Sequence, residues 1–140
     1  MDRAELVKEA WKAREFAYAP YSHYKVGAAL LTKDGKVYRG CNIENSSYTP
    51  TNCAERTAFF KAVSEGEREF AAIAIVGCMD NQKPDPNVYA SPCGVCRQVM
   101  REFADPKTFE VTVASDENHF KTYTLEQMLP ESFGPEDLLG

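Results

Sequence analysis

The sequence lacks the features that place a protein across a membrane or on a nucleic-acid backbone. Even the strongly apolar segment at residues 71–76 is short, whereas a membrane-spanning helix needs about 20 apolar residues. No apolar signal-peptide core follows Met1, so a cytoplasmic location is expected. Basic residues do not predominate, because 16 Lys and Arg stand against 21 Asp and Glu, for a net charge of −5. Since binding to phosphate backbones relies on clustered Lys and Arg, the composition argues against a nucleic-acid partner.

The sequence also has no internal repeat, low-complexity tract or interdomain linker. Its 140 residues are 44% hydrophobic and 26% charged, which is typical of a soluble globular protein. Two domains of half this length would each bury too small a core. We therefore expect one domain over residues 1–140.

The spacing of apolar residues predicts an α/β fold. Helices are expected at 2–18, 52–65, 92–103 and 125–129, and strands at 25–32, 37–41, 71–78, 110–115 and 119–124. Residues 42–51 are polar and turn-rich, residues 80–90 are expected to form a surface excursion without a catalytic role, and the tail 131–140 has little pattern. The order α-β-β-α-β-α-β-β predicts a mixed five-stranded sheet with helices on both faces, a three-layer α-β-α sandwich.

Five cysteines are the feature that requires explanation. An odd number cannot pair fully into disulfides, and cytosolic proteins use cysteine as a metal ligand, nucleophile or core thiol. Cys53 opens the predicted central helix, and Cys93 and Cys96 open the next one, with Ser91 as its expected N-cap and Pro92 as its first residue. Helix N-termini favour thiolates. Three thiolates from two such helix ends predict a site for one Zn²⁺ ion per chain.

The number of protein ligands decides what such a metal site does. A structural zinc site has four protein ligands, whereas a catalytic site has three and an open position for water. Cys41, Cys78, His23 and His119 are the alternatives for a fourth ligand, but none is spaced closely to the other three. Cys41 and Cys78 lie in predicted strands, where both are expected to be small core residues. The catalytic arrangement is favoured, in which zinc lowers the pKa of bound water to about 7.

Glu55 is the candidate proton carrier. It lies two residues after Cys53, and positions i and i+2 of a helix do not face each other. Either Cys53 precedes the regular helix, or Glu55 reaches across the open side of the metal. A first-turn acid that only complements the helix dipole is the alternative, but the cysteines favour a catalytic role. Residues 53–55 and 92–96 together match the zinc deaminase signature in its three-cysteine form.

The chain closely resembles the small, three-cysteine cytidine deaminases that form homotetramers. The resemblance covers nearly the whole sequence, and the matching segments are 18–22, 26–30, 40–45, 53–58 and 91–98. It implies hydrolytic deamination of cytidine and 2′-deoxycytidine to uridine and 2′-deoxyuridine by zinc-bound hydroxide, in pyrimidine salvage. In that reaction Glu55 would take a proton from water and pass protons to N3 of the base and to the departing ammonia.

The resemblance also implies which residues contact the substrate. Asn42 and Glu44 match the pair that holds the ribose, and Tyr24 stands where the family commonly stacks a Phe on the pyrimidine. Tyr48 and Phe133 match aromatic residues that reach the active site of a neighbouring subunit, so a homotetramer with shared active sites is expected. The complete substrate-binding set implied is Asn42, Glu44, Tyr24, Ala54, Tyr48 and Phe133.

Arg56 is expected to tune the charge of the metal site. Three thiolates and a hydroxide would leave Zn²⁺ with excess negative charge, which weakens it as a Lewis acid. A guanidinium that hydrogen-bonds the thiolates would withdraw some of this charge. The alternative is a surface arginine on the helix.

Three other functions stay open at this point. A deaminase of a cytosine-nucleoside antibiotic of the blasticidin S type would share both metal motifs and would prefer that antibiotic to cytidine. A deaminase that edits polynucleotides should show a basic or aromatic channel, against which the net charge speaks. A structural zinc-binding module predicts four protein ligands and a Glu55 that can be replaced by Gln without effect.

Overall fold

A computed structural model describes all 140 residues. The helices are α1 (Arg3–Arg14), α2 (Ala54–Ser64), α3 (Gly94–Phe103), α4 (Leu125–Met128) and α5 (Glu136–Leu139). The strands are β1 (Tyr24–Thr32), β2 (Val37–Cys41), β3 (Phe70–Met79), β4 (Glu110–Asp116) and β5 (His119–Thr124). No helix combines the length and the apolar character needed to cross a membrane.

The five strands form one mixed sheet in the order β2-β1-β3-β4-β5. Strand β1 runs antiparallel to β2 and β3, β3 runs parallel to β4, and β4 runs antiparallel to β5. A parallel pair needs a crossover connection, and α3 lies in the segment between β3 and β4. The predicted α/β fold with a mixed five-stranded sheet is confirmed.

Helices cover both faces of the sheet. Helix α1 packs its Leu6 and Ala10 against one face, while α2 and α3 pack on the other around Phe59. Side chains alternate between the faces along β3, so Ile73 and Ile75 belong to the core under α2 and α3. The β3 residues that face α1 are Ala72, Ala74 and Val76.

The first helix ends at Arg14, so its predicted extension to residue 18 is wrong. The N–H of Ala17 donates to the carbonyl of Arg14 in a tight final turn, and the N–H of Tyr18 donates to the carbonyl of Asn42. Tyr18 also forms an isolated bridge with Ile43. Pairing with the chain after β2 thus replaces the last helical turn. In the tail, the short α5 was not predicted from the sequence.

The expectation that Cys41 and Cys78 lie in the core is also wrong, since both are only half-buried. Cys41 ends β2, which is an edge strand. Cys78 lies near the end of β3, where the last three residues are all partly exposed. Both thiols lie at the margins of the packed layers, where the sequence pattern still reads as strand.

Close contact between β2 and α2 depends on Gly40. A Cβ atom at this position would lie 2.4 Å from the carbonyl oxygen of Ala54 and 2.4 Å from the amide nitrogen of Ala58. Both are backbone atoms of α2, which cannot move without shifting the helix. The glycine therefore sets the distance between the sheet and the helix that follows Cys53.

We expect Gly40→Ala to destabilise the protein by about 1–3 kcal/mol, because overpacking of this kind forces backbone shifts. The melting temperature should fall by about 3 °C or more in a thermal unfolding experiment. Gly94→Ala is the matched control, since a Cβ at Gly94 meets no atom within 4 Å and alanine is the better helix former. Equal melting temperatures for the two variants would contradict this account of Gly40.

Candidate metal centre and active site

Two of the three clustered cysteines are N-cap residues. Cys53 caps α2 and Cys93 caps α3, and both have extended backbone conformations. Both helices begin two residues later than predicted, at Ala54 and Gly94. The predicted N-cap of α3, Ser91, is wrong, because Cys93 occupies that position. The Sγ atom of Cys93 accepts the N–H of Cys96 at 3.4 Å. Because Cys53 precedes the first helical residue, the i,i+2 geometry of a regular helix does not separate it from Glu55.

The three sulfur atoms are gathered in one place. The Sγ atoms of Cys53, Cys93 and Cys96 all lie within 4.8 Å of one another, and those of Cys93 and Cys96 are 3.5 Å apart. Two thiolates on one tetrahedral zinc ion at about 2.3 Å each are separated by about 3.8 Å. The spacing and the sulfur donors both fit Zn²⁺.

No fourth protein ligand joins this cluster. His119 hydrogen-bonds Asp116 at 2.8 Å through Nδ1, and the Nδ1 atom of His23 lies 3.5 Å from Asp80. Cys41 and Cys78 lie outside the group as well. The donor set has three protein ligands, which is the number found in catalytic zinc sites.

Positive charge lies directly beside the sulfur atoms. The Nη2 group of Arg56 donates to Sγ of Cys53 at 3.2 Å. Hydrogen bonds from the thiol of Cys96 and from Arg56 lower the pKa of Cys53 to about 5. The pKa of Cys96 is raised, since its proton is held by the bond to Cys53. The hydrogen bonds within the cluster therefore favour the thiolate form of Cys53.

Glu55 lies in the first turn of α2 and is only 4% exposed. Burial removes water from its carboxylate and raises the pKa of Glu55 to about 7. A carboxyl group with this pKa can both accept and donate a proton near neutral pH. That property suits a general acid–base group.

A cavity of about 290 Å³ opens beside these residues. Glu55, Cys53 and Cys93 form part of its wall, and Tyr24, Asn42 and Ala54 form another part. A larger cavity of about 840 Å³ lies between α3 and the C-terminal tail, but it is lined by none of the predicted site residues. The smaller cavity is the candidate active site, because the reactive groups face it.

The side chain of Asn42 is held against β1. Its Oδ1 accepts the N–H of Val26 at 2.9 Å, and its Nδ2 donates to the carbonyl of Tyr24 at 2.8 Å. One N–H and one lone pair of the amide are left for another partner. The bonds fix the orientation of Asn42 at the cavity wall.

Glu44 is placed less directly than Asn42. Its carboxylate accepts the hydroxyl of Ser22 and the backbone N–H groups of Tyr21 and Ser22. The bond from the Ser22 hydroxyl contributes most to lowering the pKa of Glu44. Glu44 does not line the 290 Å³ cavity, so the structure brings together Asn42, but not Glu44, with the metal centre.

Tyr48 and Phe133 also lie outside the cavity of their own chain. Tyr48 is 72% exposed and Phe133 is 57% exposed. The ring of Tyr48 meets that of Tyr21 edge-on at 6.2 Å, and the Nε2 group of Gln98 donates to the carbonyl of Phe133 at 2.8 Å. The ring of Tyr48 and the backbone of Phe133 are thus held by their own chain, while both rings are exposed.

The loop before α3 contributes to the cavity wall only at its end. Residues 80–88 lie mostly exposed, as a surface excursion should, whereas the last residues, Tyr89 and Ala90, line the cavity. The sequence signal for this position is that the loop leads directly into Ser91, Pro92 and Cys93. The absence of a catalytic role for the loop stays a prediction. The other cavity-lining residues that the sequence did not single out are Val26, Thr51, Asn52, Ile75 and Ser91.

Arg97 is a further residue that the sequence did not indicate. Its guanidinium donates to the carbonyl of Pro92 at 2.9 Å, to the carbonyl of Met128 at 2.6 Å and to the hydroxyl of Ser91 at 3.2 Å. These bonds hold the turn that carries Cys93. Its position one helical turn after Cys93 was the only hint in the sequence.

Comparison with known proteins gives a consistent result. The family model described as "Cytidine and deoxycytidylate deaminase zinc-binding region" matches residues 1–112. A curated cytidine deaminase of Halalkalibacterium halodurans is 52% identical over 138 residues, covering 99% of this chain and 98% of its own. One of Sporosarcina psychrophila is 51% identical over 138 residues, covering 99% and 96%.

Solved structures agree in fold. The crystal structure of cytidine deaminase from Burkholderia pseudomallei has a TM-score of 0.83 and 49% identity, covering 95% of this chain and 100% of that one. The crystal structure of cytidine deaminase from Mycobacterium tuberculosis has a TM-score of 0.79 and 34% identity, covering 96% and 99%. Together with the three-cysteine cluster, these similarities show that the chain belongs to the cytidine and deoxycytidylate deaminase zinc-binding family.

Proposed function

We propose that this protein is a zinc-dependent cytidine deaminase, which hydrolyses cytidine and 2′-deoxycytidine to uridine and 2′-deoxyuridine with release of ammonia. The observation that carries the proposal is the juxtaposition of three sulfur donors with the buried carboxyl of Glu55 at the wall of one cavity. The curated relatives named cytidine deaminase support the choice of substrate.

Cys53, Cys93 and Cys96 would hold the metal. When bound, Zn²⁺ supplies Lewis acidity that lowers the pKa of a coordinated water. Glu55 would receive the proton of the attacking water and pass protons to N3 of the pyrimidine and to the amino nitrogen. A bond forms from the water oxygen to C4 of the base, the bond from C4 to the amino nitrogen breaks, and ammonia leaves. The pKa of Glu55, about 7, lets one group perform both transfers.

The other cavity residues would bind and orient the nucleoside. Asn42, already oriented by β1, has one donor and one acceptor left for a ribose hydroxyl. Tyr24 offers an aromatic face to the base, and the backbone of Ala54 lies beside Glu55. Glu44 would join Asn42 at the ribose after exchanging some of its bonds to the segment at Ser22.

We further propose a cytoplasmic homotetramer with shared active sites, acting in pyrimidine salvage as a single-domain chain. Tyr48 and Phe133 support this arrangement because each presents an exposed ring outside the cavity of its own chain. An exposed, supported aromatic residue is a common anchor at protein interfaces. Arg56 would complete the site by withdrawing charge from the sulfur ligands.

Glu55→Gln should lower turnover of cytidine by at least about 100-fold, because the amide cannot carry the protons. The zinc content of the purified protein should be unchanged. Loss of the cytidine absorbance band and elemental analysis for zinc measure the two quantities. Glu65→Gln is the control, since Glu65 is exposed at the far end of the same helix. A fully active Glu55→Gln variant would favour a structural zinc module instead.

Arg56→Ala should weaken zinc retention against a chelator and reduce turnover, each by about 10- to 100-fold. The reason is the loss of the hydrogen bond to Sγ of Cys53. Arg68→Ala removes an exposed arginine that hydrogen-bonds the carbonyls of Val63 and Glu67 and lies outside the metal centre, so it should leave both quantities unchanged. If Arg56→Ala retains zinc and activity like the wild type, Arg56 has no role in tuning the site.

Shared active sites should be visible by complementation. Phe133→Ala should lower turnover by about tenfold through loss of an aromatic contact. In sedimentation, the variant should still have four times the chain mass of 15.7 kDa. Mixed assemblies of Phe133→Ala and Glu55→Gln chains should regain activity, because some sites then combine an intact Glu55 with an intact Phe133. If the mixture is only as active as the Phe133→Ala chains that it contains, each site is built from one chain.

A further inference from the structure

Gly77 lies on the face of β3 that leads into the cavity. Residues alternate along the strand, and Ile73 and Ile75 are buried in the core under α2 and α3, so Gly77 is the next position in the same row. Gly77 pairs with Val26 on β1, and Tyr24 pairs with Met79, which makes Tyr24 the diagonal neighbour of Gly77. The row of branched side chains on β3 thus ends in a glycine beside two cavity-lining residues.

Backbone conformation does not explain this glycine, because its φ angle lies outside the left-handed region. Space does explain it. A Cβ atom at position 77 would lie 3.1 Å from both Cε1 and the hydroxyl oxygen of Tyr24, and 3.2 Å from Cγ2 of Val26. Carbon atoms in optimal contact are about 3.5–4.0 Å apart. Both side chains would have to move by a few tenths of an ångström.

The direction of that movement follows from the surroundings of the Tyr24 ring. Tyr24 lines both the 290 Å³ cavity and a second pocket of about 200 Å³. Gly77 lines the second pocket but not the first. Because Gly77 lies on the second-pocket side of Tyr24, a side chain at position 77 would displace the Tyr24 side chain toward the cavity that holds Glu55 and Cys53.

We propose that Gly77 is a positioning residue for the substrate. Because Gly77 has no side chain, the Tyr24 ring can pack close to β3, and this leaves room in the cavity for the pyrimidine. This inference rests on the proposed function, which supplies the pyrimidine. Gly77 touches neither the base nor the metal ligands. It acts through Tyr24 and, to a smaller extent, through Val26.

Gly77→Ala should raise KM for cytidine by about tenfold, because the added methyl group would displace the Tyr24 ring into the space that the substrate occupies. The value of kcat should stay within about twofold, because Glu55 and the three cysteines are not displaced. The dissociation constant for uridine, measured by calorimetry, should rise by the same factor as KM. Zinc content should match the wild type, and the melting temperature should stay within about 3 °C.

Tyr24→Ala provides the second variant, because it removes the two closest atoms that a Cβ would meet. In that background, adding Gly77→Ala should change KM by no more than about twofold, so the two substitutions are strongly non-additive. An unchanged KM and uridine affinity in Gly77→Ala would overturn the inference. So would a tenfold effect of Gly77→Ala that persists without the Tyr24 ring.

Assays of the wild-type protein distinguish a failure of the proposed function from a failure of the role proposed for Gly77. If zinc-loaded wild type releases no ammonia from cytidine, the proposed function itself is wrong. If wild type is active and Gly77→Ala has wild-type KM, only the role of Gly77 is wrong. A lower melting temperature with wild-type KM would assign Gly77 to strand packing alone.

Discussion

The functional site depends on the meeting of two helix N-termini on one face of the sheet. Each terminus places a cysteine at its N-cap position, and the unpaired N–H groups of the first turns favour negative charge there. Without this field, three sulfur atoms within 4.8 Å of one another would repel as thiolates. The same helices carry Glu55 and Arg56, so ligands, proton carrier and counter-charge share two rigid supports.

Charge balance in the site is local. Arg56 donates a hydrogen bond to Sγ of Cys53, and burial raises the pKa of the Glu55 carboxyl to about 7. The carboxyl of Glu55, the guanidinium of Arg56 and the three sulfur atoms are thus confined beside a cavity whose remaining walls include Val26 and Ile75. Because Glu55 is only 4% exposed, its charge interacts with its neighbours more strongly than it would in water.

The sequence predicted four of the five helices and all five strands, because the spacing of apolar residues carries that information. It placed the three cysteines together beside Glu55 because their two segments match the zinc deaminase signature. It did not predict the end of α1, since the pairing of Tyr18 with Ile43 joins distant segments. It also missed Tyr89, whose position depends on how the 80–90 loop returns to α3. The half-burial of Cys41 was hidden for a similar reason, because strand order in the sheet determines which strand forms the edge.

Arg97 connects two segments that lie far apart in the sequence. Its bonds join the Ser91–Pro92 turn, which leads to a metal ligand, to the carbonyl that ends α4. Helix α4, which carries no metal ligand, therefore limits the freedom of Cys93. Thermal loosening of α4 would reach the turn before Cys93 through this guanidinium, which links the durability of the metal centre to the packing of a short helix outside it.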